Sequence, residues 1–161
     1  MKKPVNQKYD EIFATNIATI GLRFDGADLV CLDYLTKKET RKSNSKQAKQ
    51  VRSKIEAYLD KKSRLKTSDI DVRIIVTPFQ ERVLKQLQRI PYGETRTYGE
   101  IAKILNTSPR AVGNACRNNP LPIVIPCHRV VAANGLGGYD GATDGEILDI
   151  KYQLLKLEGV F

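Results

Sequence analysis

Three helix-start signals between residues 77 and 109 constrain the fold more than any other feature of the chain. Thr77-Pro78 and Ser108-Pro109 each place an N-cap residue before a proline at the first helical position. Between them, Thr97 and Glu100 have the spacing of a capping box. The helix that follows Thr97 must end at Asn106-Thr107, where a turn is indicated. Two short helices joined by a tight turn predict a helix-turn-helix.

The helix that starts at Ser108 has one polar face and one apolar face. Its polar face carries residues at i, i+3, i+4 and i+7, namely Arg110, Gly113, Asn114 and Arg117. Small or amide side chains between two arginines allow close approach to a phosphate backbone. We therefore expect this face to contact DNA, although a solvated face is the alternative.

The whole chain predicts a mixed α/β (α+β) fold in two domains, 1–76 and 77–161. In the first domain, short antiparallel strands are expected over 9–35, with a hairpin at Asp25-Gly26. Apolar spacing predicts a helix over 47–60, and 71–76 is expected to form a further strand. The second domain is expected to be mostly helical, winged-helix-like, with a last helix over 151–157.

The net charge of +9, from 27 Lys and Arg against 18 Asp and Glu, favours an anionic partner. Basic residues are dense from 37 to 66. Such runs are usually a solvated face, and a role in DNA binding stays open. The run includes Lys37, Lys38, Arg41, Lys42, Lys46, Lys49 and Arg52.

The three cysteines, at positions 31, 116 and 127, do not form a disulfide framework and suit a reducing compartment. No apolar stretch is long enough to span a membrane, and no apolar run follows the amino-terminal Met1-Lys2-Lys3. We therefore expect a cytoplasmic protein that has no membrane partner. We also expect it to act as a monomer. One histidine and scattered cysteines offer no zinc spacing, so no metal is expected.

Residues 126–131 read Pro-Cys-His-Arg-Val-Val and contain the one histidine of the chain. A thiol attacks as its thiolate, and a neighbouring imidazole can take the proton. The apolar run 121–126 predicts a buried segment that delivers Cys127 to a fixed place. An inert buried cysteine beside an incidental histidine is the alternative interpretation of Cys127 and His128.

The stretch from Asn119 to Val131 resembles the active-site signature of the O6-alkylguanine-DNA alkyltransferases, and the resemblance extends from about Thr77 to Gly159. These DNA repair proteins move an alkyl group from guanine O6 onto their own cysteine. The resemblance implies stoichiometric transfer to Cys127, double-stranded DNA with alkylated guanine as partner, and no cofactor. The zinc that some members carry lacks its ligands here.

The resemblance also implies roles for individual residues. His128 would deprotonate Cys127 through a water, and Glu158 would hold the imidazole. Tyr98 would donate to guanine N3. Asn119 would tie the recognition helix to the active-site strand by hydrogen bonding. The backbone carbonyls of Cys127 and Val130 would accept hydrogen bonds from the guanine amino group. Tyr139 would close the pocket over the base.

One further implication concerns DNA, and the chain departs from the family in two places. Arg110 corresponds to the arginine that fills the stack when the target base is flipped out, with the helix in the minor groove. Asp140 stands where some members have a serine that contacts O6. Since a carboxylate would repel the developing anion, we expect the Asp140 side chain to turn away. The segment 142–150 is longer than in some members.

Three other functions fit parts of the pattern. A binding module that only marks lesions would lack the reactive cysteine. A Cys-His hydrolase would use Cys127, His128 and Glu158 but would not explain the helix-turn-helix. A plain helix-turn-helix regulator would not explain the Pro-Cys-His-Arg segment. Transfer of a methyl group from alkylated DNA to the protein distinguishes the main interpretation from all three.

Overall fold

The computed structural model describes residues 8–36 and 39–161. The amino-terminal segment and the basic residues Lys37 and Lys38 lie outside these ranges. The chain divides into two compact units, Met1–Ile74 and Ile75–Phe161. This division falls two residues before the predicted boundary between 76 and 77. The fold is of the predicted mixed α/β class.

The first unit is built on an antiparallel sheet of three strands in the order β1-β2-β3. The strands are β1 (Glu11–Ala14), β2 (Thr19–Asp25) and β3 (Asp28–Leu35). The predicted hairpin is confirmed, because Asp25 pairs with Asp28 across the turn and Gly26 has a φ of 61°. This left-handed conformation is one that glycine adopts without steric cost.

Helix α1 (Lys46–Leu59) confirms the helix predicted over 47–60. Ser45 caps it by accepting a hydrogen bond from the Ala48 N–H. The buried face presents five residues to the core of this unit: Ala48, Val51, Ile55, Tyr58 and Leu59. The core also contains the buried strand residues Phe13, Leu22 and Leu32.

The strand predicted over 71–76 is wrong. Val72 forms an isolated parallel bridge with Leu29, through the Leu29 N–H donating to the Asp71 carbonyl and the Arg73 N–H donating to the Leu29 carbonyl. Pairing stops there, and Ile75 is 87% exposed. The alternating apolar residues of this segment therefore do not form a strand. The segment makes one contact with the sheet, at Val72, and then leads to the next helix.

The second unit has the predicted helix starts. The helices are α2 (Pro78–Leu87), α3 (Tyr98–Leu105), α4 (Pro109–Arg117) and α5 (Gly145–Leu157). Capping boxes are formed at the starts of α2 and α3, and the Ser108 side chain caps α4. Asn106 ends α3 in the left-handed conformation, with φ of 51°. Helices α3 and α4 thus form the predicted helix-turn-helix.

The apolar segment before Cys127 is buried, as predicted, but it is not a strand. Proline at 122 and 126 removes two donors that a strand ladder needs, and Ile123 has a φ of 73°. The Ile125 N–H donates to the Leu121 carbonyl and the Cys127 N–H to the Ile125 carbonyl, so local turns satisfy the backbone. Cys127–Arg129 is a single 3₁₀ turn.

A short parallel ladder links this turn to the helix-turn-helix. Strand β4 (Arg96–Thr97) pairs with β5 (Val130–Val131), with Arg96 opposite Val130. Because β4 runs directly into α3 and β5 follows the 3₁₀ turn, the ladder brings Tyr98 towards Cys127.

The last helix begins earlier than predicted. Helix α5 starts at Gly145 rather than at residue 151, so most of the segment 142–150 is helical. Glu146 lies in its first turn, where a carboxylate interacts favourably with the helix dipole. Within the described residues, the helices are too short or too polar to cross a lipid bilayer.

Candidate active site

The Cys127 thiol is buried at the edge of a cavity of about 390 Å³ in the second unit. The cavity is enclosed by the amino-terminal residue of α3, one side of α4 and the glycine-rich segment 138–143. The predicted site residues that line it are Tyr98, Arg110, Gly113, Arg117, Cys127, Tyr139 and Asp140. The structure therefore places the thiol and the predicted DNA-facing arginines around one space.

A second thiol, that of Cys116, lines the same cavity. Burial raises the pKa of Cys127 to about 11, and hydrogen bonds from Asn119 and Tyr139 oppose this effect. Burial and the proximity of Cys127 raise the pKa of Cys116 further. Cys127 is consequently the thiol that loses its proton more easily, although at neutral pH it is a protonated thiol at rest.

The two residues that follow Cys127 in the chain, His128 and Arg129, form a buried network with Glu158. The Nε2 atom of His128 lies 2.9 Å from Glu158 Oε1. Arg129 donates from Nε and Nη2 to the same carboxylate, at 2.8 to 3.2 Å, and from Nη1 to the Ile90 carbonyl. The Gly93 N–H donates to Glu158 Oε2. The carboxylate thus joins the end of α5 to the 3₁₀ turn that carries Cys127.

The protonation states of the network follow from burial and pairing. Burial acts to raise the pKa of Glu158, but hydrogen bonds and charge from His128 and Arg129 outweigh it, so the net shift is downward. Burial lowers the pKa of His128, against the raising effect of Glu158. Arg129 neutralises the carboxylate and further disfavours an imidazolium. His128 is therefore neutral at pH 7, with Nε2–H directed to Glu158.

Lys151 lies at the back of the site and is fully buried. Its Nζ donates to the carbonyls of Val130 at 2.6 Å and Gly138 at 2.8 Å, and lies 3.5 Å from the Tyr98 hydroxyl. Burial lowers its pKa to about 8. The ammonium holds together three segments that bound the site: β5, the glycine-rich segment and the start of α3.

The Tyr98 phenol donates a hydrogen bond to the Gly138 carbonyl at 3.2 Å. Burial, and then the proximity of Cys116 and Cys127, raise the pKa of this phenol, so it keeps its proton as a donor. Gly137 has a φ of 75°, and a Cβ atom there would lie 2.9 Å from the Tyr98 ring. The close approach of this loop to Tyr98 therefore requires glycine.

Asn119 joins the end of α4 to the segment before the thiol. Its Nδ2 donates to the Ile125 carbonyl at 3.0 Å, and its Oδ1 accepts from the Leu121 N–H. The amide also hydrogen-bonds to the Cys127 side chain and so lowers the thiol pKa. The role that the resemblance implies for Asn119 stays a prediction.

Asp140 is half-buried, with φ of 47°, and lines the cavity. Its charge raises the pKa of Cys127, so the carboxylate acts on the thiol electrostatically. Tyr139 is buried beside it and hydrogen-bonds to the thiol. That Asp140 turns away from a bound base stays a prediction.

The remaining predicted site residues lie outside the cavity wall. Asn114 is exposed on the same face of α4 as the arginines. Val130 is buried, and its carbonyl accepts from Lys151. The roles predicted for them, like those of the other site residues, stay predictions.

Two residues of the site are not evident from the sequence. In the sequence, Arg129 is one residue of the Pro-Cys-His-Arg segment and Lys151 is one residue of a predicted helix. Neither is assigned a role in the site from the sequence. A signal for Lys151 is present, because it lies next to Ile150 and three residues before Leu154, on the apolar face of α5. A lysine on such a face is rarely buried unless it is partnered. In the described residues, no three His, Cys, Asp or Glu side chains cluster in a way that could hold a metal ion.

Comparison with known proteins decides the family. The profile described as 6-O-methylguanine DNA methyltransferase, DNA binding domain, matches residues 78–160. A methylated-DNA–protein-cysteine methyltransferase of Methanosarcina acetivorans is 40% identical over 160 residues, covering 94% of this chain and 98% of that protein. The chain is a member of the 6-O-methylguanine DNA methyltransferase family. This confirms the family predicted from the sequence.

Two further relatives extend the comparison. The protein of the same name from Archaeoglobus fulgidus is 53% identical over 93 residues, which is 57% of this chain. That match spans 63% of the relative, less than two thirds of its length. The crystal structure of Mycobacterium tuberculosis OGT in complex with DNA superposes with a TM-score of 0.77 at 34% identity, covering 91% of this chain and 90% of the other.

Removing the carboxylate of the network should destabilise the protein. Glu158→Gln leaves the Arg129 guanidinium buried without a counter-charge, and such a change costs about 3–5 kcal/mol. Folding lowers the pKa of Glu158, so the ionised carboxylate stabilises the folded protein. This stabilisation is fully present above the pKa of the unfolded chain, about 4.3, and is lost as the pH falls through the lower pKa of the folded protein. Urea denaturation at neutral and acidic pH measures both effects.

The matched control is Glu81→Gln, which breaks the exposed pair between Glu81 and Lys85. Surface pairs contribute roughly 0–1 kcal/mol, so this variant should remain close to wild type. An equal loss of stability in Glu158→Gln and Glu81→Gln would show that the buried network does not support the site.

Proposed function

We propose that this chain repairs DNA by transferring the alkyl group of O6-alkylguanine to the sulfur of Cys127. The observation that carries the proposal is the cavity in which a thiol, a phenol and the polar face of a helix-turn-helix meet. Membership of the 6-O-methylguanine DNA methyltransferase family supports the same reaction. Activity on O4-alkylthymine fits the same chemistry.

The reaction is a displacement at the alkyl carbon. A bond forms between that carbon and the Cys127 sulfur, and the bond between the carbon and guanine O6 breaks. The thiol proton passes to neutral His128, through a water, and Glu158 stabilises the imidazolium that results. Because the resting thiol has a pKa of about 11, this proton transfer is a necessary part of the step.

The guanine that departs must be kept from accumulating charge. The protonated phenol of Tyr98 leaves the Gly138 carbonyl and donates a hydrogen bond to guanine N3. The proton that Cys127 gave to His128 passes back through water to the departing base, which leaves as neutral guanine. The Cys127 and Val130 carbonyls accept from the guanine amino group, while Tyr139 covers the base. The product thioether has no easy route back to a thiol, so each molecule reacts once and needs no cofactor.

The base must leave the duplex before it can enter the cavity. Arg110 is exposed at the start of α4 and lines the cavity mouth, where it can fill the space left in the stack. Gly113, Asn114 and Arg117 then face the minor-groove backbone. Minor-groove binding distinguishes sequences poorly, which suits repair at any site. We further propose that the protein acts as a monomer in the cytoplasm.

Incubation with duplex DNA that contains O6-methylguanine should add the mass of one methyl group to the intact protein. Peptide mapping should place it on Cys127, and Cys127→Ser should gain no mass. Cys116→Ser is the matched control because Cys116 lines the same cavity but has the less acidic thiol. Methylation of Cys116 or Cys31 instead, or release of many product molecules per protein, would contradict the proposal.

Arg110→Ala should slow transfer from duplex DNA much more than transfer from free O6-benzylguanine. The free base needs no extrusion, and unstacking costs a few kcal/mol at most. Single-turnover rates on both substrates measure the difference. Lys103→Ala, which removes an exposed charge of α3 away from the cavity, should leave both rates near wild type. Equal slowing of Arg110→Ala on both substrates would assign Arg110 to the structure of the pocket.

A further inference from the structure

The positive charge of the chain is concentrated in the first unit, whereas Cys127 belongs to the second. Residues 1–74 contain 17 of the 27 Lys and Arg and 10 of the 18 Asp and Glu, a net charge of +7. Residues 75–161 carry the helix-turn-helix and Cys127. They contain the other 10 Lys and Arg and the other 8 Asp and Glu, a net charge of +2. The charge that favours an anionic partner is therefore mostly in the unit that the proposed chemistry does not use.

Part of this charge lines a shallow groove along α1, of about 620 Å³. Three of its six lining residues are lysines and the other three are neutral donors and acceptors, with no carboxylate among them. The groove is lined by Asn44, Lys46, Lys49, Gln50, Ser53 and Lys54. All six are exposed. Its composition suits a chain of phosphates, which needs cations and hydrogen-bond donors in a row.

The lysines at the start of the groove do not stabilise the helix. Lys46 and Lys49 lie in and just after the first turn of α1, and that turn contains no acidic residue. Cations are unfavourable at this end of a helix because of its dipole. Among the described residues, the ion pairs of α1 are those that Arg52 forms with Glu11 and Glu56. Residues that violate a local preference without structural compensation indicate a functional surface.

We infer that the α1 groove binds the phosphate backbone of duplex DNA, as a contact separate from the helix-turn-helix. The groove has no aromatic residue in its lining on which a base could stack, so it holds the backbone without reading sequence. The choice of DNA as occupant rests on the proposed function. The surface would add affinity for undamaged DNA on which the protein searches for lesions.

The test is the salt dependence of binding to an undamaged duplex. In Lys46→Gln/Lys49→Gln, about two phosphates should no longer be neutralised. The slope of log affinity against log salt should therefore become shallower by roughly 0.9 for each of these phosphates. The matched control is Lys8→Gln/Lys62→Gln, which removes the same charge from exposed lysines of the same unit outside the groove. Its slope should stay near wild type.

Two outcomes would overturn the inference. Equal changes in the groove and control variants would show that only total charge matters, and an unchanged slope in the groove variant would show that the groove does not contact DNA. The rate of transfer from free O6-benzylguanine should be the same in all three proteins. If wild type gains no alkyl group from damaged DNA, the proposed function fails, whereas the slopes still decide whether the groove binds a duplex.

Discussion

The site depends on one buried carboxylate. Glu158 accepts hydrogen bonds from Arg129, from the Gly93 N–H and from His128. Since a buried carboxylate is costly unless it is paired, these partners are held in fixed positions. The turn that carries Cys127 is consequently anchored to the end of α5 and to the loop after α2. No regular strand is needed to hold the thiol in place.

The same burial that fixes the thiol also keeps it inactive at rest. Burial raises the pKa of Cys127 to about 11, so at neutral pH the sulfur is a poor nucleophile. In the proposed reaction each molecule reacts once, and a resting thiol would avoid consumption by other electrophiles. In the proposed mechanism activation depends on a neutral His128, which the burial of the imidazole and the charge of Arg129 both maintain.

The parts of the structure that could be predicted are those fixed by local chemistry. The starts of α3 and α4 follow from Thr97, Ser108 and their neighbours because caps satisfy nearby backbone donors. Burial of Cys127 follows from its apolar approach, but two prolines and a left-handed Ile123 make that approach a series of turns. Lys151 could not be assigned, because its partners are backbone carbonyls that only tertiary folding brings together.

In the proposed mechanism a neutral His128, held through Nε2 by Glu158, receives the proton of Cys127. His128 is the one histidine of the chain, so selective ¹⁵N labelling of histidine gives unambiguous imidazole signals. At pH 7, the spectrum should show a protonated Nε2 and an unprotonated Nδ1. An imidazolium with both nitrogens protonated, or the tautomer with the proton on Nδ1, would contradict the claim.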